Sequence, residues 1–322
     1  MGLGTRRAPY ATFPVLEARA SVWYVRMRMA RNARKKSLGA ETRSLWCALL
    51  EGGEDAPDVR IHALVWPCAL AALYLWSGGQ RPDESLARTL LPRGSACLDA
   101  LRGAWRVPTL AVCVERLASA IVARGEETSL HGLFEGLVRE LEPDGRRARG
   151  QWFTPAPLAR YMVDALDALL RDVFKLPAGF ADESTWSEVC ERLGCALPEG
   201  VSGGARFVRV LDPSMGTGVF LEALLERARP QLSGWEIDPA AHAVAELALT
   251  GALRRRGNSV KDVADIGVRC RDALAAPSTI ARGEVTTVVL GNPPYSYRTG
   301  NPSPEAVSLI EGLTGREILD SR

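Results

Sequence analysis

Fifteen residues from Phe207 to Leu221, reading FVRVLDPSMGTGVFL, restrict what this chain can fold into more than any other stretch. Phe207, Val208, Val210 and Leu211 form the apolar run of a buried strand. Gly216 and Gly218 mark a sharp turn, and Val219, Phe220, Leu221, Leu224 and Leu225 begin a helical period. Strand, glycine turn and helix together make a cradle. Glycine lets the backbone approach a ligand with no Cβ in the way, and a helix that starts there aims free N–H groups and its positive dipole end at bound negative charge. Dinucleotide and nucleotide folds use the same physics. The spacing here, however, is neither GxGxxG nor the phosphate-loop GxxxxGK[ST], and there is no lysine for a phosphate. A ligand with a carboxylate and a ribose is favoured over one with a pyrophosphate.

The residues that follow extend the pattern. Phe220 to Arg227 is expected as a helix and Leu232 to Pro239, LSGWEIDP, as a second strand that ends in acidic residues. Glu236 lies 24 positions beyond Asp212, the distance a strand, turn, helix, strand unit needs to set a carboxylate at the carboxyl end of the neighbouring strand. There it can accept hydrogen bonds from ribose hydroxyls. A helix over Ala240 to Arg254, a short strand over Ile266 to Cys270 and a fourth strand over Val285 to Leu290 complete the series. Arg271 and Asp272 follow the third strand, and Gly291-Asn292-Pro293-Pro294-Tyr295 follows the fourth. Every candidate ligand thus falls at the carboxyl end of a strand, the edge at which an open parallel sheet binds ligands. Trp235 is expected on the face opposite Glu236, in the core.

Asn-Pro-Pro-Tyr is a poor structural choice after an apolar strand, and for that reason it is informative. Two prolines donate no hydrogen bonds and lock the backbone, so the Pro293 carbonyl and the Asn292 side-chain oxygen form a rigid pair of acceptors. Such a pair suits a planar NH₂ group. Bonding both hydrogens of an exocyclic amine draws its lone pair out of conjugation and aims it at an electrophilic methyl, while Tyr295 stacks on the base. An in-line displacement of this kind needs no metal. The competing reading is a proline-rich strand terminator.

In chain order, Gly150 to Pro155 (GQWFTP), Asp212 to Gly218 (DPSMGTG), Glu236-Ile237-Asp238, Asp272 and Asn292 to Tyr295 (NPPY) resemble the motifs of S-adenosylmethionine-dependent adenine DNA methyltransferases. With FTP ahead of the glycine loop, the order is similar to the gamma class, found in type I, type IIG and single-polypeptide type I restriction enzymes. The resemblance covers roughly residues 142 to 300. It implies a partial Rossmann-like class I methyltransferase sheet of about four parallel strands with flanking helices. It further implies that Phe153, Thr154 and Pro155 lie by the methionine end of the cofactor, and that Asp212, Pro213, Ser214, Gly216, Thr217 and Gly218 surround it. Glu236 would hold the ribose, Ile237 would pack on the cofactor adenine, and Asp272 would accept from its amino group. Asn292, Pro293, Pro294 and Tyr295 would grip a target adenine flipped out of duplex DNA. Only 27 residues follow Tyr295, whereas the family fold has seven strands. The resemblance therefore leads us to expect a fragment, half of a split gene or a truncated remnant, whose remaining strands and target recognition come from a missing region or a second polypeptide. Two other readings stay open: an amino-group methyltransferase acting on protein glutamine or RNA, and a non-catalytic module that binds cofactor or a partner.

The first 141 residues read as an all-helical domain, with the methyltransferase domain running from 142 to 322. Residues 1 to 44 carry ten basic residues against Glu17 and Glu41, a charge balance that suits nucleic acid. From Ile61 to about Leu141 apolar residues recur at three and four, as in Leu130, Leu133, Leu137 and Leu141. No chemical constellation is evident there. Ile61 to Trp76 is too short to span a membrane, contains Pro67 and is expected as a buried helix. Seven cysteines form no CxxC pair and His62, His131 and His242 are scattered, so no metal site is expected and the thiols suit a reduced, cytoplasmic setting. Thr154-Pro155 fits a helix N-cap followed by proline in the first turn.

Overall fold

The computed structural model describes residues 59–101, 129–141, 152–228, 231–258, 266–274, 285 and 287–294. The basic arm, Gly150 and Gln151 of GQWFTP, and Tyr295 lie outside the described residues. Four helices come first: α1 (Val59–Trp76), α2 (Glu84–Leu90), α3 (Ala96–Leu101) and α4 (Leu130–Leu141). The run expected as a buried helix is α1, which continues through Pro67, with Leu64 to Leu73 buried. Trp66 anchors it on α3 by donating its indole N–H to the Ala100 carbonyl at 2.7 Å. On α4 the buried residues Leu133, Phe134, Leu137 and Val138 fall on one face, as the period of three and four requires.

The second half is α/β. Helix α5 (Ala156–Asp172) and α6 (Trp186–Leu193) precede β1 (Arg209–Asp212), followed by α7 (Val219–Arg227), β2 (Gln231–Glu236), α8 (Pro239–Arg255), β3 (Gly267–Cys270) and β4 (Val288–Val289). Helix α6 is specified at both of its ends. Thr185 and Glu188 form a reciprocal capping box, and Gly194 closes it in the left-handed conformation. All pairings are parallel and the strand order is β3-β2-β1-β4. The four strands are those the sequence predicts, but β4 is shorter. Pairing at its ends is carried by single ladder bonds, Thr287 N–H to the Arg209 carbonyl (3.1 Å) and Leu290 N–H to the Leu211 carbonyl (3.0 Å). Among the described residues β4 pairs only with β1, and Val289 is exposed.

Helix α8 joins the two halves. Ala240, Ala241, Ala243, Val244 and Leu247 pack with α1 to α4, while Ala245, Leu249, Ala252 and Leu253 pack with the sheet, α5 and α7. A helix buried on both sides needs small residues, which accounts for the alanine-rich sequence PAAHAVAELALTGALRR.

Two expectations change. Pro155 is the N-cap of α5 and no side chain caps that helix, because the Thr154 hydroxyl is engaged elsewhere. Trp235 is half-buried, not in the core, and carries the Arg271 guanidinium 4.5 Å from its ring centroid.

Candidate functional site

The chain leaves β1 on one side, to β2 and β3, and returns on the other as β4, so the strand order reverses between β1 and β4. A crevice opens at such a point beyond the strand carboxyl ends. Asp212 ends β1 there, 1% exposed. Its Oδ1 accepts from the Ser214 N–H at 3.0 Å, which turns the chain into the glycine loop. The turn closes with Gly218 N–H donating to the Met215 carbonyl at 2.8 Å and with Gly218 at φ 85°, a conformation that favours glycine. Helix α7 then starts at Val219.

Glu236 meets this loop from the end of β2. One oxygen accepts from Gly216 N–H at 2.9 Å and the other from Asp238 N–H at 2.8 Å. Burial raises its pKa against these backbone bonds. Ile237 beside it is 52% exposed and open to a ligand. Asp272, past the end of β3, accepts from Leu274 N–H at 2.9 Å.

From β4 the chain enters the same crevice at Gly291. A Cβ at this position would lie 2.7 Å from Asp212 Oδ1 and 3.1 Å from Ser214 Oγ, so only glycine lets the strand end approach this closely. Asn292 follows, with its Nδ2 donating to the Trp152 carbonyl and to Thr154 Oγ1, both at 3.1 Å. A carbonyl can only accept, which fixes the amide orientation and leaves Oδ1 as the outward acceptor. Pro293 and Pro294 are exposed. Phe153 packs edge-to-face on Phe134 of α4, ring centroids 5.9 Å apart.

Two buried polar atoms in the pocket, Asp212 Oδ2 and Ser214 Oγ, have no hydrogen-bond partner. Burial pushes the Asp212 carboxyl up to about 7, opposed by the Ser214 N–H bond and aided by the Glu236 charge. Unpaired buried oxygens are costly unless something else meets them. The arrangement suits a ligand that brings a positive group and hydroxyls.

One residue of the site was not foreseen. His131, the second residue of α4, places Nδ1 2.8 Å from Thr217 Oγ1 and Nε2 2.5 Å from Glu222 Oε2. No spacing signals a contact between residues 86 positions apart. Among the described residues no group of His, Cys, Asp and Glu could hold a metal, and no helix is long and apolar enough to cross a membrane.

No protein-family model matches the chain. No curated protein matches it in sequence. Among solved structures it is similar to a cryo-EM structure of a DrdV-DNA complex, with TM-score 0.54 and 17% identity over 95% of this chain and 33% of that one. The likeness is one of fold. This chain contributes a four-stranded parallel sheet with flanking helices to that likeness, and it spans about a third of the DrdV chain's length. A crystal structure of a type I restriction-modification system methyltransferase subunit from Streptococcus thermophilus aligns over 88% of this chain and 64% of that one, with 15% identity and TM-score 0.34.

Proposed function

We propose that the chain is the catalytic part of an S-adenosylmethionine-dependent DNA methyltransferase that modifies the N6 amino group of adenine, working in a restriction-modification or phage-defence system. One observation carries this reading. The Asn292 amide is tied at its nitrogen by Trp152 and Thr154, so its oxygen is presented as an oriented acceptor next to the Asp212 pocket. In this proposal Asn292 Oδ1 and the Pro293 carbonyl accept the two hydrogens of the target amine, held by the rigid Pro293-Pro294 backbone. Tyr295 stacks on the base. This grip would free the amine lone pair and direct it toward the donor, with the amine proton released to solvent.

The pocket's own atoms fit the donor. Asp212 Oδ2 and Ser214 Oγ await partners, and a Cβ at Gly216 would meet nothing within 4 Å, which leaves space over the loop. When bound, S-adenosylmethionine supplies an electrophilic methyl group. Asp212 would hold its ammonium, Glu236 its ribose hydroxyls, Ile237 its adenine ring and Asp272 the adenine amino group, and Thr154 and Pro155 would lie beside the methionine end. Residues 1–141 are assigned as a helical domain and 142–322 as the methyltransferase domain. Duplex DNA is the proposed partner, as in the DrdV-DNA complex, together with a further segment or polypeptide for target recognition.

The test is transfer of labelled methyl from S-adenosylmethionine to adenine-containing duplex by the chain and by Asn292→Ala, with cofactor binding measured by calorimetry. Label should appear on adenine N6, and Asn292→Ala should reduce transfer by about 10²–10³ with cofactor affinity retained. Label in protein glutamine and not in DNA would overturn the substrate, and no cofactor binding would overturn the reading altogether.

A further inference from the structure

We propose that His131 is a positioning residue for the glycine loop, through which the helical half of the chain sets the shape of the cofactor pocket. The inference rests on the cofactor reading above and deepens it.

Thr217 stands between Gly216 at φ 55° and Gly218 at φ 85°. Two glycines around one residue make the most permissive tripeptide at this sheet edge, and the free loop has many conformations to lose when a ligand binds. What restrains it from the side is the Thr217 hydroxyl, 97% buried and bonded to His131 Nδ1 at 2.8 Å. The ring itself is held from behind. Burial raises the Glu222 pKa, but the hydrogen bonds and charges of His131 and Arg255 outweigh that and hold it below its ordinary value. Glu222 is therefore an ionised acceptor, and His131 Nε2 must carry the proton in their 2.5 Å contact. This fixes the ring so that Nδ1 faces Thr217. Arg255 Nη2, 2.6 Å from Glu222 Oε1, completes the support from the end of α8. Four elements thus converge on one loop hydroxyl: α4 brings the imidazole, α7 the carboxylate, α8 the guanidinium and the loop itself Thr217.

His131 meets the loop at the Thr217 hydroxyl, whereas the Gly216 N–H meets Glu236. It acts on the ligand only by fixing the backbone that the ligand meets, which is preorganisation. The direction of the effect is therefore on affinity for the methyl donor and not on the grip of Asn292.

The experiment is calorimetric titration of S-adenosylhomocysteine into the full chain carrying His131→Ala, His131→Asn or Thr217→Val, with amide hydrogen exchange over residues 214–218 of the same proteins. Asparagine sets a polar atom where Nδ1 stands, so His131→Asn keeps the Thr217 bond and loses only the Glu222 contact. We expect His131→Ala and Thr217→Val each to weaken binding about tenfold and to speed exchange at Gly216 and Gly218. The His131→Asn protein, which keeps the Thr217 bond without the Glu222 support, should lose less than His131→Ala, and the double variant His131→Ala/Thr217→Val should be no weaker than either single. Equal losses in His131→Asn and His131→Ala would overturn the proposal, as would additive losses in the double variant or unchanged exchange. A native chain that binds no cofactor refutes the function proposed above, and the exchange data then decide the role of His131 alone.

Discussion

Asp212 is the residue at which stability and the proposed function are most directly opposed. Its carboxyl is buried with one oxygen unpartnered, and its pKa rises from 3.8 to about 7. At about 1.4 kcal/mol per pH unit this corresponds to about 4 kcal/mol of destabilisation once the folded carboxylate is ionised. The sign follows from the unfolded chain ionising first. The contribution of Asp212 to stability is intact below about pH 4, is lost progressively between about pH 4 and pH 7, and is level above that. Asp212→Asn removes the titration and keeps an acceptor for the Ser214 N–H. It leaves an amide N–H₂ where Oδ2 stood, unpartnered, at a cost of about 1–3 kcal/mol. The net expectation at pH 8 is a ligand-free protein more stable by about 1–3 kcal/mol. Urea unfolding of the native chain and the variant from pH 4 to pH 8 gives this as a difference curve, in which the uncoupled Glu246 cancels. The same substitution should weaken S-adenosylmethionine binding, because the ammonium loses its counter-charge. A variant less stable than the native chain at pH 8, or a difference curve flat from pH 4 to pH 7, refutes the burial argument. Unchanged cofactor affinity refutes the assignment of the ammonium to Asp212.

Two further substitutions probe other parts of the same structure. Gly291→Ala puts a methyl 2.7 Å from Asp212 Oδ1 and 3.1 Å from Ser214 Oγ; we expect a loss of about 1–3 kcal/mol in urea unfolding and weaker cofactor binding, and a neutral result would show that the β1 and β4 ends can separate freely. Glu246 of α8 caps α3 by accepting from Ala96 N–H at 2.7 Å, while burial, against the Ala96 and Cys97 backbone bonds and with help from Asp99, pushes its pKa up to about 7. Glu246→Gln keeps the acceptor and removes the charge, so melting temperatures should match at about pH 4 and favour the variant at about pH 8; the reverse order would mean that the charge itself holds the cap.

The sheet was legible because each strand announces itself locally: an apolar run, then a glycine or acidic residue where the chain must turn. The termini of α6 are fixed just as locally, since the cap residues Thr185, Glu188 and Gly194 act within a few positions of one another. The link between Thr154 and Asn292 was not. Both residues stand in recognisable motifs, yet local chemistry favoured Thr154 as a helix cap, and only the fold brings it to an amide 138 positions away. Where a tertiary acceptor competes with a cap, the residue chemistry is satisfied either way, so sequence pattern cannot choose. His131 was hidden more completely, because an isolated histidine at the start of an amphipathic helix carries no periodic or spacing signal.

That difference bears on how the two halves of the chain relate. Read by composition, the helices before Glu142 are an appendage with a core of their own. In the structure their core is completed by one face of α8, and Phe153, on the stretch that orients Asn292, packs into the same cluster. His131 reaches the loop from one side while Trp152 and Thr154 hold Asn292 from the other. The parallel strands supply the crevice and its acidic ends, but the groups that fix the orientation of its working parts come from segments that precede β1. A pocket built this way has its walls and its restraints on different elements. Under the proposed function, affinity for the methyl donor is then expected to depend on packing among α1, α4 and α8 as well as on the pocket walls.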